Sequence, residues 1–370
     1  MNKKIIAAGH ICIDITPVFP KGTHCTDISQ LMVPGRLIHM DAAEVSTGGS
    51  VANTGLALKL LGADVRLLGK VGNDAFGTMV KDILASYGAG GLVVDAESTT
   101  SYSVVVAIPG IDRIFLHSPG ANNSFTNADI PEDALEDGAI FHIGYPPVMR
   151  RLYEKDGAEL AAILRRVKNH GIATSMDMTN IDPNSEAGKI DWTKILAAAL
   201  PHTDFFVPSF EELCFMLNRT RYDALSARGG DMTEHLDMLR DVKPLAEKCL
   251  ELGCRAVLIK CGISGMYYKT SGKAAMETVG SRLQLDTDTW ADREGIQPCF
   301  RADRVLSGTG AGDTSIAAFL AAVLQEKSPQ MCVSLAAAEG SCAVTSYDAL
   351  GGLKPLDQLE ERISSGWEAL

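Results

Sequence analysis

The chain has 370 residues, with 46% hydrophobic content, 35 glycines and a formal net charge of −12, enough to form one large α/β domain or two ordinary ones. That acidic balance excludes a general attraction to nucleic acid or anionic membrane, so an anionic substrate needs a local positive site. No run approaches the ~18 apolar residues of a membrane span, and nine scattered cysteines without CxxC or zinc spacing read as core residues in a reducing cytoplasm.

The opening MNKKIIAAGHICID has basic residues and a short apolar run. Asp14 interrupts that run before a secretory segment is complete, so it reads as a first strand. Lys4 to Ile15 is expected to be strand and then turn, with Gly9 allowing a close backbone approach and Asp14 at the strand exit. A carboxylate there is either a solvated turn residue or an acceptor for two adjacent hydroxyls. Residues 12–46, with Pro17, Pro20 and Pro34, and residues 98–122 are strand-like material outside any helix alternation. Within the second stretch, Ser103–Ile108, a Pro-Gly turn and Ile111–His117 predict a hairpin.

Gly48 to Gly62, GGSVANTGLALKLLG, is a diglycine turn opening a helix. Its GGSVA is a near miss to the GxSxG nucleophile elbow, and Ser/His/Asp partners have no supporting signal. Asp74 in GKVGNDAFG is expected to cap the next helix. From Gly138 onward, apolar strands alternate with longer helical stretches, which predicts a doubly wound, mainly parallel sheet. Ligands of such a sheet gather beyond the carboxyl ends of its strands. Asp177, Ser209, Glu212, Lys260 and Gly262 fall at such ends, with Gly265 close behind. Glu212 at a helix start suits a surface carboxylate facing the helix dipole. Lys260 either meets a phosphate or points into solvent. Segments 219–242 and 280–296 look like insertions without a chemical motif.

Ser307 to Phe319, SGTGAGDTSIAAF, organises the rest. Gly308, Gly310 and Gly312 leave a backbone whose N–H groups can converge on one point. An amphipathic helix is expected to follow, with Ile316, Phe319, Leu320, Val323 and Leu324 at helical spacing. Glycine turn and helix N-terminus together make an anion cradle. Asp313 sits at its mouth, either as a helix cap or as a proton acceptor beside a place that holds negative charge. No Walker A lysine follows, and the glycine spacing is not the dinucleotide fingerprint.

GTGAGD followed by a small-residue helix resembles the C-terminal signature of the PfkB (ribokinase-like) carbohydrate kinases. GGxxxN at Gly48, Gly49 and Asn53 and GxVGxDxFG at Gly69–Gly77 match the family as well, so the likeness covers nearly the whole chain. It implies one ribokinase-like α/β domain over 1–370, with helices flanking the sheet. A small β-lid is implied within about 12–46 and 98–122, closing over the sugar and pairing two copies into a homodimer. It also implies an ATP-dependent sugar kinase in the cytoplasm, with a nucleoside kinase or an inactive sugar- or nucleotide-binding homologue as alternatives.

The resemblance assigns the catalytic base to Asp313 and the transferred phosphate to the backbone of Gly310, Ala311 and Gly312. Asp14, Gly48, Gly49 and Asn53 become sugar-binding residues, and Glu212 organises Mg²⁺ largely through water. Lys260, Gly262 and Gly265 take the family's nucleotide-phosphate segment. Two departures stand out: Ser209 replaces the asparagine of NxxE, and Lys260-Cys-Gly262 replaces TxG. Ser307 also stands where many members carry an aspartate that helps hold a monovalent cation, which predicts weak or absent potassium activation.

Overall fold

The computed structural model describes residues 3–111, 113–234 and 236–370. Fourteen strands are formed among them. In chain order they are β1 (Lys4–Gly9), β2 (Cys12–Thr16), β3 (Glu44–Gly48), β4 (Asp64–Leu68), β5 (Lys70–Gly72), β6 (Val93–Asp95) and β7 (Tyr102–Val106), then β8 (Ile114–Ser118), β9 (Gly138–Gly144), β10 (Ala173–Met176), β11 (Phe205–Phe206), β12 (Ala256–Lys260), β13 (Met266–Thr270) and β14 (Glu294–Gln297). Eight of them make the main sheet, in the order β14-β13-β12-β11-β10-β9-β1-β4. Strands β4 through β12 of that order run parallel, and β13 and β14 close the edge antiparallel.

Side-chain alternation explains the layers, because successive residues of a strand face opposite sides. Ile6, Phe141 and Ile143 face Ile163 and Leu164 of the Arg150–Asn169 helix. Their neighbours Ile5 and Ile140, with Phe205, face Ile316, Phe319 and Leu320 of the Ala311–Leu324 helix. Every residue of β9 is buried, as expected for a central parallel strand covered on both faces. Each such Ile, Leu or Phe contributes about 1.5–3 kcal/mol of transfer free energy.

The opening segment differs from its expected single strand. At Gly9 the backbone takes φ 122°, and a Cβ there would lie 2.9 Å from Gly144 N and 3.2 Å from Gly144 C. The chain therefore leaves the main sheet at Gly9 and begins β2 in a second sheet, ordered β3-β2-β7-β8. Asp14 lies in the middle of β2, opposite Ser46 on β3 and Ser103 on β7, rather than at a strand exit. β7 and β8 form the antiparallel hairpin and, with β2 and β3, the lid beside the main sheet.

The helix after the glycine turn also differs. Asp313 to Val323 are all buried, so the Ala311–Leu324 helix has no solvent face. Ala317, Ala318, Ala321 and Ala322 supply the small surface that lets the Pro329–Ala343 helix and the Ser50–Leu60 helix close on it. Segment 280–296 is part of the core as well. Its Trp290 is 2% exposed and stands edge-on to Phe205 at 5.6 Å. Segment 219–242, apart from His235, forms the Arg219–Ser226 helix and the Met238–Val242 turn. All nine cysteines are free, eight of them buried. Among the described residues no helix is long and apolar enough to cross a membrane.

Candidate active site

Gly310 is the N-cap of the Ala311–Leu324 helix, with φ 72°. The left-handed backbone favours glycine, and a Cβ there would lie 2.7 Å from Ala349 Cα. Thr314 N and Oγ1 both donate to Gly310 O, at 2.8 and 3.0 Å, which fixes the first turn. The Ala311 amide makes a long 3.3 Å bond back to Gly308 O. The amides of Gly312 and Asp313 belong to the first turn, where a helix has no acceptor of its own.

Asp313 projects from this turn and is 4% exposed. Asn53 Nδ2 donates to its Oδ2 at 3.0 Å and Tyr145 OH to the same oxygen at 2.8 Å; Thr54 Oγ1 donates to Oδ1 at 3.1 Å. Asn53 and Thr54 come from the Ser50–Leu60 helix, and Tyr145 follows directly on β9. The sequence assigned Asn53 to the sugar alone; its amide also holds the carboxylate.

Lys260, at the end of β12, turns inward. Its Nζ donates to Asp177 Oδ1 at 2.8 Å and to Val207 O at 2.7 Å, and a Cβ built on Gly312 would lie 3.9 Å from it. A cation therefore stands against the anion cradle rather than in solvent. Burial pushes the Asp177 carboxyl up to about 8, with Lys260 pulling the other way. Burial lowers the Lys260 amine, but Asp177, Glu212 and Asp313 outweigh it and hold it above its ordinary value. Lys260 is thus held in its charged form, while burial favours the neutral form of Asp177.

Glu212 forms a reciprocal capping box with Ser209: Ser209 N donates to Glu212 Oε2 at 2.7 Å, and Glu212 N to Ser209 Oγ at 3.2 Å. That is a structural use for both residues where the NxxE motif is altered. Gly262 and Gly265 flank the turn between β12 and β13, both with positive φ. Protein occupies their open sides: a Cβ on Gly262 would lie 3.1 Å from Thr233 Cβ, and one on Gly265 2.9 Å from Pro298 Cα.

At the lid end, Gly48 is required by Asp14. A Cβ on Gly48 would lie 2.6 Å from Asp14 Cγ and 2.8 Å from Oδ1. Burial raises the Asp14 pKa, opposed by hydrogen bonds from Cys12 and Ser103. Gly49 has φ 85°, and a Cβ there would lie 2.5 Å from His10 Nδ1, a buried nitrogen with no partner among the described residues. Ser103 Oγ meets His117 Nδ1 at 3.1 Å, and the His117 ring lies 5.0 Å from that of His10. The lid also brings Arg113 over the cradle loop, with Nη2 3.8 Å from a Cβ built on Gly308.

Sequence reasoning therefore missed Thr54, Tyr145, His10, His117 and Arg113. Tyr145 and His10 each directly follow a parallel strand, the one signal that could have marked them. Among the described residues no group of three His, Cys, Asp or Glu side chains could hold a metal by itself. Magnesium brought in with nucleotide phosphates needs only one or two carboxylates and water, so the oxygen donor Glu212 fits that use.

Comparison with known proteins agrees in extent. The description "pfkB family carbohydrate kinase" matches residues 2–354. A curated relative, ribokinase from Arabidopsis thaliana, is 24% identical over 329 residues, covering 88% of this chain and 74% of the relative. Arabidopsis ribokinase complexed with ribose and ATP superposes with a TM-score of 0.70 at 20% identity, covering 98% of both chains. A putative ribokinase II from E. coli in complex with ATP and Mg²⁺ gives 0.68 at 20% identity, covering 99% of this chain and all of the other.

Proposed function

The chain belongs to the pfkB family of carbohydrate kinases, and from that premise we propose how its site phosphorylates a small sugar with ATP. One hydroxyl of the sugar attacks the γ-phosphorus, its proton passes to Asp313, and the bond to the β–γ bridging oxygen breaks to release ADP. The first-turn amides at Gly312, the positive end of the helix and the Lys260 ammonium stabilise charge on the phosphoryl oxygens. Asp14, the backbone at Gly48 and Gly49, and Asn53 hold the sugar so that one hydroxyl lies in line. Glu212 would help hold magnesium brought in with the nucleotide, and the ion would supply charge neutralisation on the phosphates. The observation that carries this reading is the meeting of Asp313, the helix turn and Lys260 at one point. A panel of sugars, sugar acids and nucleosides with Mg-ATP, scored by ADP release, tests it; no sugar-dependent release anywhere in the panel would refute it.

The lid supports a homodimer. Phe115 and Leu116 of β8, the edge strand of the lid sheet, are 55% and 56% exposed on its two faces, and an apolar edge strand of this kind favours a second copy as partner. We expect Phe115→Glu with Leu116→Glu to sediment as a monomer where the wild type sediments as a dimer. A wild-type monomer at micromolar concentration would exclude the pairing.

Ser307 supports weak potassium activation. Its Oγ is engaged within the loop, donating to Thr309 Oγ1 at 2.9 Å and accepting from Thr309 N at 3.1 Å, and a neutral hydroxyl attracts a cation less than a carboxylate does. Replacing K⁺ by a bulky organic cation at fixed ionic strength should leave turnover within about twofold. A large K⁺-specific rise would show that backbone carbonyls suffice for a cation site.

A further inference from the structure

We propose that Tyr145 is a positioning residue for the reaction, clamping the Asp313 carboxylate so that its last free acceptor site, on Oδ1, faces the sugar hydroxyl. The inference rests on Asp313 being the base. An ionised carboxylate offers about four acceptor sites, two on each oxygen. Asn53 and Tyr145 fill both on Oδ2, and Thr54 fills one on Oδ1. Asn53 and Thr54 approach from a single helix. Of these three donors, the phenol, on the residue that follows β9, reaches the carboxylate from a second element and ties its orientation to the main sheet as well as to the helix.

The backbone shows that the phenol is held there against local preference. Tyr145 has φ 65° and ψ 40°, a left-handed conformation that costs an L-residue other than glycine or asparagine and that collects at functional sites. Pro146 and Pro147 follow and stiffen the turn. The ring stacks on His10 at 6.1 Å and 28°, so its direction is set from below. Burial, with the Asp313 and Asp177 carboxylates, holds the phenol far above its ordinary pKa, so it remains a hydrogen-bond donor.

The test is Tyr145→Phe, which keeps the ring, the stack and the bulk. A hydrogen bond to a charged group is worth enough that kcat should fall about 10- to 100-fold. The KM values for sugar and ATP should stay within threefold, and the melting temperature should stay within a few degrees. A raised sugar KM with unchanged kcat would make Tyr145 a sugar-binding residue and overturn the inference. Asp313→Asn in the same series separates the two assignments. If it is inactive while Tyr145→Phe keeps its turnover within threefold, the clamp is wrong and the base stands. If Asp313→Asn itself keeps turnover, base and clamp fall together.

Discussion

Asp313→Asn is expected to fold as the wild type does and to lose about 10²–10⁴ in turnover, the usual range for a removed general base. The fold should survive because the carboxamide can be accommodated by the same three neighbours. Its oxygen can take the Oδ2 position and accept from Asn53 and Tyr145, and its NH₂ can face Thr54 Oγ1, a hydroxyl able to accept as well as donate. What the proposed reaction would lose is its acceptor for the proton of the attacking hydroxyl. The helix turn, its dipole and Lys260 all remain, so ATP binding measured by calorimetry should change little. Turnover within threefold of wild type would remove Asp313 from the role of base.

The parts of the site that were legible in the sequence are those where chemistry forces a local pattern. Gly310 has to be glycine because the helix cap is left-handed and Ala349 sits on it; Gly48 has to be glycine because Asp14 lies against it. Such demands leave spaced glycines that survive in a one-dimensional reading. The alternation from Gly138 onward was legible for a similar reason, since strands buried on both faces must be continuously apolar.

Other features depend on tertiary placement and leave no such trace. The Ala311–Leu324 helix carries apolar residues at helical spacing, yet alanines on its other faces let two further helices cover it, so periodicity suggested a solvent face that is absent. The division of residues 4–16 between two sheets turns on one backbone angle at Gly9. Tyr145 meets Asp313 across 168 positions of chain, and no local pattern records that contact. Lys260 was visible at a strand end, but its inward turn depends on Asp177, supplied by a different strand.

That pairing leads to the second large effect. Lys260→Met keeps the aliphatic length and removes the only charge that the 2.8 Å contact offers Asp177. The two side chains are 12% and 3% exposed, so water cannot replace the ammonium, and an uncompensated buried carboxylate costs about 3–5 kcal/mol. The pH dependence follows from the direction of the shift. The folded-state pKa of Asp177 is raised above its ordinary 3.8 to about 8. Its contribution is therefore fully present below about pH 4 and is lost as pH rises toward the folded value. In the wild type that loss ends near pH 8. Without Lys260 the carboxyl titrates higher, and the loss continues above pH 8. Lys260→Met should thus unfold in urea with a modest deficit at pH 7, where the carboxyl keeps its proton, and with a deficit about 1.4 kcal/mol larger at pH 9, one pH unit above the wild-type value. Adding Asp177→Asn removes the group that titrates, so the double variant should recover much of that stability at pH 9. Its turnover should stay low, because the ammonium beside Gly312 is still missing. Equal deficits for the single variant at pH 7 and pH 9 would show that Asp177 does not depend on Lys260 for its charge.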